Sequence, residues 1–563
     1  MVPAAEVAMT QMRVRRAVAV PRHMLRMKPQ HVRVDGAALL LWLGAGLSGA
    51  VLGIGAAWPY VWPACWLALA ALCILVIAAS RRSSLQGLTT MALGWAAWQV
   101  AGTGWIVLGV RDGAHSLAWQ AAVLAFFAVT HLLPAVSVWL LLAWATQDST
   151  SAHDRDAARL AVRFGLTLAC AETLRQLGWL GSGYASLGSA FLDMPGAQLV
   201  LPVVGAAGWG WAVSCSAILF ACVVWFQLAG ARRAQRWAAA GLLVCMVAWA
   251  ALWHLEKSPA PDWMQPQVSA EVVALAVQPP AERGRHWTRK ERDEALDQLE
   301  AALRQAAPGT VLVTAETFFP EPPPHVAEGS WLDLVKLVRK HDVHVLVGMP
   351  HLLRDIDGMH LMNTVVQLSP DRQSLYAKER LVPGGEYLPW PDTLRPLYEQ
   401  MFEKVRTGQR SGPPELTAPL FAGGQLIGTS ICHELSFPLT MAERARDATW
   451  LVNLADDMWI DNLLYREQML TVARARAMEA GKYVLRVSQG ALSTLVSPDG
   501  HVLARAPDAG AYLMPVHLQA REGMSPYHRA ATWLACVPLI LAGAWCLFAL
   551  LRRPLSHSPT PPP

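Results

Sequence analysis

Three polar residues adjoin apolar segments or a loop in the C-terminal half of the chain. Glu316 follows residues 310–315, Cys432 follows residues 426–431, and Lys378 precedes a Gly-containing loop. Open α/β sheets build their sites at the carboxyl ends of strands, so we expect the three side chains to meet. A carboxylate can take the proton of a thiol, and a lysine can supply positive charge to the oxyanion of a tetrahedral intermediate. Taken singly, they could be a surface acid, a solvated charge and a buried thiol, but together they predict acyl transfer through Cys432.

The sequence around these residues alternates between short apolar runs and amphipathic segments. Apolar residues at helical spacing predict helices over residues 291–306, 331–340 and 463–480. Strands are predicted at residues 272–277, 310–315, 343–348, 363–368, 426–431, 450–454, 483–487 and 493–497. Such alternation is typical of an α/β sheet covered by helices.

The composition indicates a membrane protein with a large soluble part. Of the 563 residues, 53% are hydrophobic and only 16% are charged, whereas an ordinary soluble domain carries about 25% charge. The net charge of +5 is small, and the sequence has no helix-turn-helix, zinc finger or basic stripe, so we expect no nucleic-acid partner. A span needs about 20 mostly apolar residues. Eight spans are predicted, at residues 37–57, 61–79, 88–110, 117–144, 159–176, 206–229, 237–255 and 531–551.

Positive residues in the loops between these spans predict the orientation of the chain. Arginines follow alternate spans, at Arg81 and Arg82, Arg155 and Arg159, Arg232, Arg233 and Arg236, and Arg552 and Arg553. The positive-inside rule places these loops in the cytoplasm and the long segment before the last span outside it. The predicted parts are a basic cytoplasmic arm (1–36), a seven-span bundle (37–255), an extracytoplasmic catalytic domain (256–530), a last transmembrane helix (531–551) and a cytoplasmic tail (552–563).

Two features of the predicted bundle suggest further expectations. Gly49 and Gly53 form a small-xxx-small pair, which predicts close packing between helices. Glu172 and Arg175 lie near the outer end of the fifth span, where they could be functional or could form an interface ion pair. We expect residues 177–205, which follow them, to be irregular because they are rich in Gly and aromatic residues.

The cysteines are distributed unevenly between the predicted bundle and the soluble domain. Eight of the nine lie in predicted spans, where Cys is a small apolar filler. Only Cys432 lies in the soluble segment, so it is either a buried inert thiol or a reactive nucleophile. No CxxC or Cys/His spacing suggests a metal site, and no cofactor is expected.

Three segments carry a family resemblance. They are TAETFFP at 314–320, YAKERLVPGGEYLP at 376–389 and ICHELSFP at 431–438. They resemble the nitrilase, or carbon–nitrogen hydrolase, superfamily, with its Glu-Lys-Cys triad and αββα sandwich. With the eight-span bundle, nearly the whole chain is similar to the apolipoprotein N-acyltransferase family. The resemblance implies a multi-span α-helical membrane bundle plus an α/β nitrilase-like αββα sandwich domain.

The resemblance also implies roles for individual residues. Glu316 would be the general base, Lys378 the oxyanion stabiliser and Cys432 the nucleophile. Further supporting or substrate-binding positions of the family are matched by Glu386, Glu434, Asn363 and Trp459.

Several positions depart from the family pattern, two of them in the segments that carry Lys378 and Cys432. Gly384 stands where a Phe is expected, and His433 stands where a Tyr is expected. Loss of a large aromatic side chain at Gly384 predicts a wider or more mobile pocket. A histidine titrates near neutrality, so His433 is expected to make acylation depend on pH around 6–7.

The resemblance implies an acyltransferase of the bacterial inner (cytoplasmic) membrane with its catalytic domain on the periplasmic side. It would move a fatty acyl chain from a phospholipid, through a Cys thioester, to the N-terminal amine of a lipoprotein's diacylglyceryl-cysteine, and would act as a monomer. Two alternatives stay open. One is a carbon–nitrogen hydrolase-like membrane protein of a conjugal-transfer system with a different amide or acyl substrate. The other is a non-catalytic assembly factor, against which the intact triad argues.

Overall fold

The computed structural model describes residues 35–552 except for 16 short ranges and single positions. The exceptions are 109–120, 122–124, 127, 147–152, 178–182, 259–260, 262–263, 280–287, 324–329, 356–357, 384, 388–408, 459, 461, 491 and 508–509. Two predicted site residues, Gly384 and Trp459, therefore lie outside the described residues, as do nearly all of the basic arm and of the tail.

The N-terminal half is a bundle of helices. They are α1 (Gly36–Gly55), α2 (Trp62–Arg82), α3 (Ser84–Thr103), the short α4 (Trp105–Leu108), α5 (Leu133–Ala145), α6 (His153–Leu177), α7 (Ala197–Leu228) and α8 (Arg232–Leu255). A π-helical turn, Ala128–Leu132, precedes α5. A last long helix, named α13 (Pro526–Leu551), follows the soluble domain and packs against α6 and α7.

Six helices of the described part are long and apolar enough to cross a membrane. They cover Gly36–Gly55, Pro59–Arg82, Ala128–Ala145, Ala197–Leu228, Arg232–Leu255 and Pro526–Leu551. The other two predicted spans, 88–110 and 159–176, overlap α3 and α6, which are helical but more polar. The eight-span count therefore stays a prediction.

Capping and close packing explain how these helices are held. The side chain of Asp35 accepts a hydrogen bond from the Ala38 N–H at 2.8 Å and caps α1, which satisfies a backbone donor that has no partner inside the helix. At Gly49 an added methyl group would overlap the Gly94 carbonyl of α3, and Gly53 lies equally close to Trp98. The predicted close packing at this glycine pair is confirmed.

One expectation for the bundle was right only in part. The described residues 183–196 are irregular, with turns and a 3₁₀ helix at Ser189–Phe191, but the chain is already helical from Ala197, the start of α7. A further irregularity is a break within that helix, where Gly205 has φ 72° and ψ 172°. The ring of Tyr527 occupies the space that a side chain at Gly205 would need, so this position combines a left-handed φ with a close contact.

The soluble domain contains two six-stranded sheets. The first has the strand order β12-β1-β2-β3-β4-β5 and the second β11-β10-β9-β8-β7-β6. Strands of the first are β1 (Gln267–Gln278), β2 (Val311–Thr314), β3 (His344–Asp355), β4 (Gly358–Leu368), β5 (Gln373–Ala377) and β12 (Tyr512–Glu522). Those of the second are β6 (Leu420–Ala422), β7 (Gln425–Ile431), β8 (Trp450–Asp456), β9 (Val484–Gln489), β10 (Thr494–Val496) and β11 (Val502–Arg505). The strands β1, β2 and β3 are parallel, as are β7, β8 and β9.

In the described part of the domain, four helices cover the outer faces of the two sheets. They are α9 (Arg289–Gln305), α10 (Ser330–His341), α11 (Pro438–Ala445) and α12 (Leu463–Ala480). Buried side chains of both sheets, such as Val313 and Val452, form one apolar core between them. Leu299 and Leu334 pack α9 and α10 on the first sheet, and Met441 and Met469 pack α11 and α12 on the second. This αββα layering confirms the predicted fold.

Candidate functional site

Strand ends bring the predicted triad together, as expected from its sequence positions. Glu316 lies two residues beyond β2, Lys378 directly follows β5, and Cys432 directly follows β7. The Lys378 Nζ lies 3.5 Å from Glu316 Oε1, and both side chains are almost fully buried. The charges of Glu316 and Lys378 both act on the Cys432 thiol. A carboxylate, an ammonium and a thiol therefore share one buried site.

Glu386 and Asn363 complete the polar network around the lysine and the carboxylate. Lys378 Nζ donates to Glu386 Oε1 at 2.7 Å. The Asn363 amide donates to Glu316 Oε1 at 2.7 Å and to Glu386 Oε1 at 3.2 Å. The second oxygen of Glu316 accepts the Asp456 N–H at 2.9 Å. These bonds orient both carboxylates, so Glu386 and Asn363 belong to the site that the sequence predicted.

Cys432 sits at a strained turn between β7 and a short 3₁₀ helix, Cys432–Ser436. Its φ is +53°, a left-handed conformation that residues other than glycine rarely adopt. Such strain persists only where the surrounding structure enforces it, and it clusters at functional sites. The turn places the Cys432 thiol at the end of a parallel strand.

The side chain of Glu434, a residue of this turn, holds the turn in place through hydrogen bonds. Its carboxylate accepts the Ile431 N–H at 2.7 Å, the Glu379 N–H at 2.7 Å, the Arg380 N–H at 3.0 Å and the Tyr376 hydroxyl at 2.8 Å. It is fully buried. The side chain therefore ties the Cys432 turn to the loop that follows Lys378, which is a positioning role.

Burial shifts the pKa values of the Cys432 thiol and the Glu316 carboxyl. Burial, followed by the Glu316 carboxylate, raises the pKa of the Cys432 thiol well above its usual value. Burial also raises the pKa of Glu316, although Lys378 opposes this rise. A thiol that is protonated at rest needs a base during attack, and a carboxyl with a raised pKa is closer to the pKa suited to that task.

The lysine stays charged at this site. Burial alone would lower the pKa of Lys378, but Glu386 and Glu316 outweigh it and hold that pKa well above the usual value. A permanent positive charge in a buried site can stabilise a developing oxyanion strongly, because little water screens it.

The expected titration of His433 near neutrality was wrong. Burial, with Lys378 and Arg380 nearby, lowers the pKa of His433 well below its usual value. The imidazole is only 7% exposed and packs edge-on against Phe437, with ring centroids 5.6 Å apart. Among the described residues its Nδ1 has no hydrogen-bond partner. His433 therefore stays neutral at physiological pH, and its sequence position alone could not reveal this burial.

A buried ion pair beside the thiol was missed by sequence reasoning. Asp457, directly after β8, pairs with Arg486 of β9 at 2.8 Å, and both are about 1% exposed or less. Asp457 also accepts hydrogen bonds from the Tyr465 hydroxyl at 2.8 Å and the Ser488 hydroxyl at 2.5 Å. The available signal was an acid within three residues of the end of a predicted strand, here residues 450–454.

Glu172 and Arg175 form a buried ion pair at 2.9 Å. Arg175 also donates to the Tyr184 carbonyl, and the Leu187 N–H points to Glu172 at 3.4 Å. The pair thus holds the loop after α6 against the end of that helix. Within the described ranges, no group of three or more His, Cys, Asp or Glu side chains could hold a metal ion.

The soluble domain and the chain as a whole are both similar to known proteins. The family model for carbon–nitrogen hydrolase matches residues 273–521, and those residues span the αββα sandwich from β1 to β12. The solved structure of Saccharomyces cerevisiae Nit3, a member of branch 10 of the nitrilase superfamily, covers 45% of this chain and 91% of its own, with 16% identity and a TM-score of 0.33.

Curated relatives cover the bundle as well as the domain. An apolipoprotein N-acyltransferase of Azotobacter vinelandii is 27% identical over 527 residues, which are 90% of this chain and 94% of the relative. One of Chromobacterium violaceum is 27% identical over 524 residues, 91% of this chain and 94% of the relative. One of Ralstonia nicotianae is 28% identical over 81% of this chain and 83% of the relative. The predicted resemblance to this membrane-embedded branch of the carbon–nitrogen hydrolases is confirmed.

Proposed function

We propose that this chain is an N-acyltransferase of the bacterial inner membrane. It takes a fatty acyl chain from a phospholipid onto Cys432 and passes it to the N-terminal amine of a lipoprotein's diacylglyceryl-cysteine. The observation that carries the proposal is the meeting of the Cys432 thiol with the Glu316 carboxylate and the Lys378 ammonium, in a domain joined to a helical bundle. The names of the similar curated proteins support the acceptor.

In the first half-reaction Glu316 takes the thiol proton as the Cys432 sulfur attacks the ester carbonyl carbon. Lys378 stabilises the oxyanion of the tetrahedral intermediate. The C–O bond to the glycerol oxygen then breaks, Glu316 returns the proton to that oxygen, and lysophospholipid leaves. A thioester on Cys432 remains.

In the second half-reaction the neutral α-amine of the acceptor attacks the thioester carbonyl. Glu316 takes a proton from the attacking nitrogen, and the C–S bond breaks as the amide forms. The proton on Glu316 then returns to the Cys432 sulfur. The site is restored without an oxidant, a reductant or a cofactor.

The proposed orientation places the sandwich in the periplasm. Arg81 and Arg82 end α2, and Arg232 and Arg233 begin α8, so these basic groups lie at the ends of apolar helices. Cytoplasmic loops carry such residues in excess, which supports a cytoplasmic position for both. The domain between α8 and α13 then lies on the opposite side.

The proposal is tested by intact and peptide mass spectrometry of purified protein in phosphatidylethanolamine vesicles. We expect a fatty acyl adduct on Cys432 that disappears when a diacylated lipopeptide is added, with N-acylated lipopeptide as the product. Cys432→Ala should carry no adduct, while Cys536→Ala, a half-buried cysteine of α13, should keep it. An adduct that yields free fatty acid whether or not lipopeptide is present would identify a hydrolase instead.

A further inference from the structure

Helix α12 joins the catalytic domain to the helical bundle. Two of its side chains donate hydrogen bonds to carbonyl groups of the bundle, Gln468 to Gly102 at 2.5 Å and Thr471 to Ala57 at 3.1 Å. The Glu479 carboxylate accepts the Ala206 N–H at 2.7 Å. Arg474 forms an ion pair with Asp193 at 2.5 Å. Gly102 lies at the end of α3, Ala57 just after α1, Asp193 in the loop before α7, and Ala206 inside α7 just after its break at Gly205. Helix α12 thus contacts the bundle from Gln468 to Glu479, and its first turn lies directly before this stretch.

That first turn carries Tyr465, which packs with Trp105 and Tyr184 of the bundle. The ring centroids of Tyr465 and Trp105 are 4.6 Å apart, those of Trp105 and Tyr184 5.1 Å, and those of Tyr465 and Tyr184 6.4 Å. All three residues are at most 7% exposed. We call these three residues the aromatic cluster.

The aromatic cluster borders the Cys432 turn directly. Leu435 of that turn belongs to the same buried apolar group as the three rings. Gly183, the neighbour of Tyr184, lies so close to the Ser436 carbonyl that a methyl group there would overlap it. Burial raises the pKa of Tyr184, and the negative charge of an ionised Cys432 adds to the rise.

The ring of Tyr465 is held firmly at its hydroxyl end as well. Its hydroxyl donates to Asp457 Oδ1 at 2.8 Å, and Asp457 is itself fixed by Arg486 at 2.8 Å. Trp105 is anchored in turn, since its Nε1 donates to Gln468 Oε1 at 3.1 Å. The Tyr465 ring is thus fixed by a hydrogen bond at its hydroxyl and by packing against Trp105. An acyl chain entering the site would not displace it easily.

We propose that Tyr465 is a specificity-determining residue that limits the length of the acyl chain Cys432 can accept. The inference rests on the proposed function, because it assumes that a chain bound to Cys432 extends toward the bundle. The aromatic cluster packs between Leu435 of the Cys432 turn and the bundle segment just after α3, where Trp105 lies. A chain must run beside these rings, and Tyr465 is the ring contributed by the catalytic domain.

The test compares the rate at which methyl, octyl and hexadecyl methanethiosulfonates modify Cys432 in the full-length protein, measured by peptide-resolved mass spectrometry. Tyr465→Ala should raise the hexadecyl-to-methyl rate ratio at least about tenfold, since even one methylene group that a pocket rejects is worth about 10-fold or more. Tyr465→Phe keeps the ring and should keep the wild-type ratio. Tyr483→Ala, at the other end of β9 from the site, should keep it too.

An unchanged ratio in Tyr465→Ala would overturn the proposal, as would an equal shift in Tyr465→Phe or Tyr483→Ala. The methyl reagent reports whether the site of each variant is intact, and Tyr465→Leu replaces the alanine variant if that rate collapses. A parallel arm measures the acyl chains found on Cys432 in vesicles of mixed chain length. Absence of any acyl adduct in the wild-type protein would refute the proposed function, while the reagent ratios would still decide the role of Tyr465.

Discussion

The side-chain amide of Asn363 donates a hydrogen bond to the Glu316 carboxylate, with Nδ2 and Oε1 2.7 Å apart. The same amide reaches Glu386 at 3.2 Å, so one donor stabilises two buried negative charges. Hydrogen bonds to a charged group favour its ionised form. Asn363 therefore works against the burial that raises the pKa of Glu316.

Replacing Asn363 by Leu should slow acylation of Cys432 by about 10-fold or more, the scale of one hydrogen bond to a charged group. Loss of the donor raises the pKa of Glu316 further, so the acidic limb of the pH–rate profile should move to higher pH. The profile is measured as the initial rate of acyl adduct formation. Gln373→Leu, an exposed amide on β5, is the matched control. An acidic limb that stays in place would show that Asn363 does not act through Glu316.

Replacing Glu316 by Gln should change two rates in opposite directions. Acylation should fall by at least about 10²-fold, because the general base is lost. Alkylation of Cys432 by iodoacetamide should become faster at a given pH, since Glu316 raises the pKa of the thiol while Lys378 lowers it. Parallel loss of both rates would indicate a structural role for Glu316.

Lys378→Ala should slow both acylation and alkylation, and Cys432→Ala should abolish acylation without unfolding the domain.

Replacing Glu434 by Ala should destabilise the domain and stop acylation together. The change leaves the N–H groups of Ile431, Glu379 and Arg380 without their acceptor, and each unsatisfied buried donor costs about 1–3 kcal/mol. The thermal midpoint in detergent measures this loss. Glu443→Ala, an exposed acid of α11, should leave both properties unchanged. A fully stable Glu434→Ala protein would contradict the positioning role.

Lys482 gives the domain a pH-dependent stability in the alkaline range. Its Nζ donates to the Ala445 carbonyl at 2.8 Å and to the Ala448 carbonyl, and burial lowers its pKa from 10.5 to about 8. Between these values the unfolded chain binds the proton and the folded chain does not, so stability rises with pH. The difference between the thermal midpoint of the wild type and that of Lys482→Met should therefore shift in favour of the wild type as the pH rises from 8 to 10. Lys336→Met, an exposed lysine of α10, should show no such trend.

Fusions of alkaline phosphatase test the proposed orientation. A fusion near Ser411, in the soluble domain, should be active because the enzyme folds only outside the cytoplasm. A fusion near Arg233, at the start of α8, should be inactive. The reverse pattern would place the triad in the cytoplasm and overturn the span assignment.

Local patterns in the sequence account for the elements that were predicted correctly. Apolar runs such as residues 426–431 and 450–454 became β7 and β8, because a strand buried on both faces reads as continuous apolar sequence. The strands β5, β6, β11 and β12 and the helix α11 were missed. Alternating burial along β12 leaves no apolar run, and α11 is only 8 residues long.

The sequence by itself determined the membrane-bundle-plus-sandwich architecture and the candidate triad, because each triad member lies at the end of a recognisable apolar segment or just before the loop that carries a family motif. Only the tertiary structure decided how the site is held. The Asp457–Arg486 pair, the four donors around Glu434 and the aromatic contacts of Tyr465 join residues far apart in the chain. Burial also follows from such packing, and it makes His433 neutral where the free side chain would titrate near neutrality.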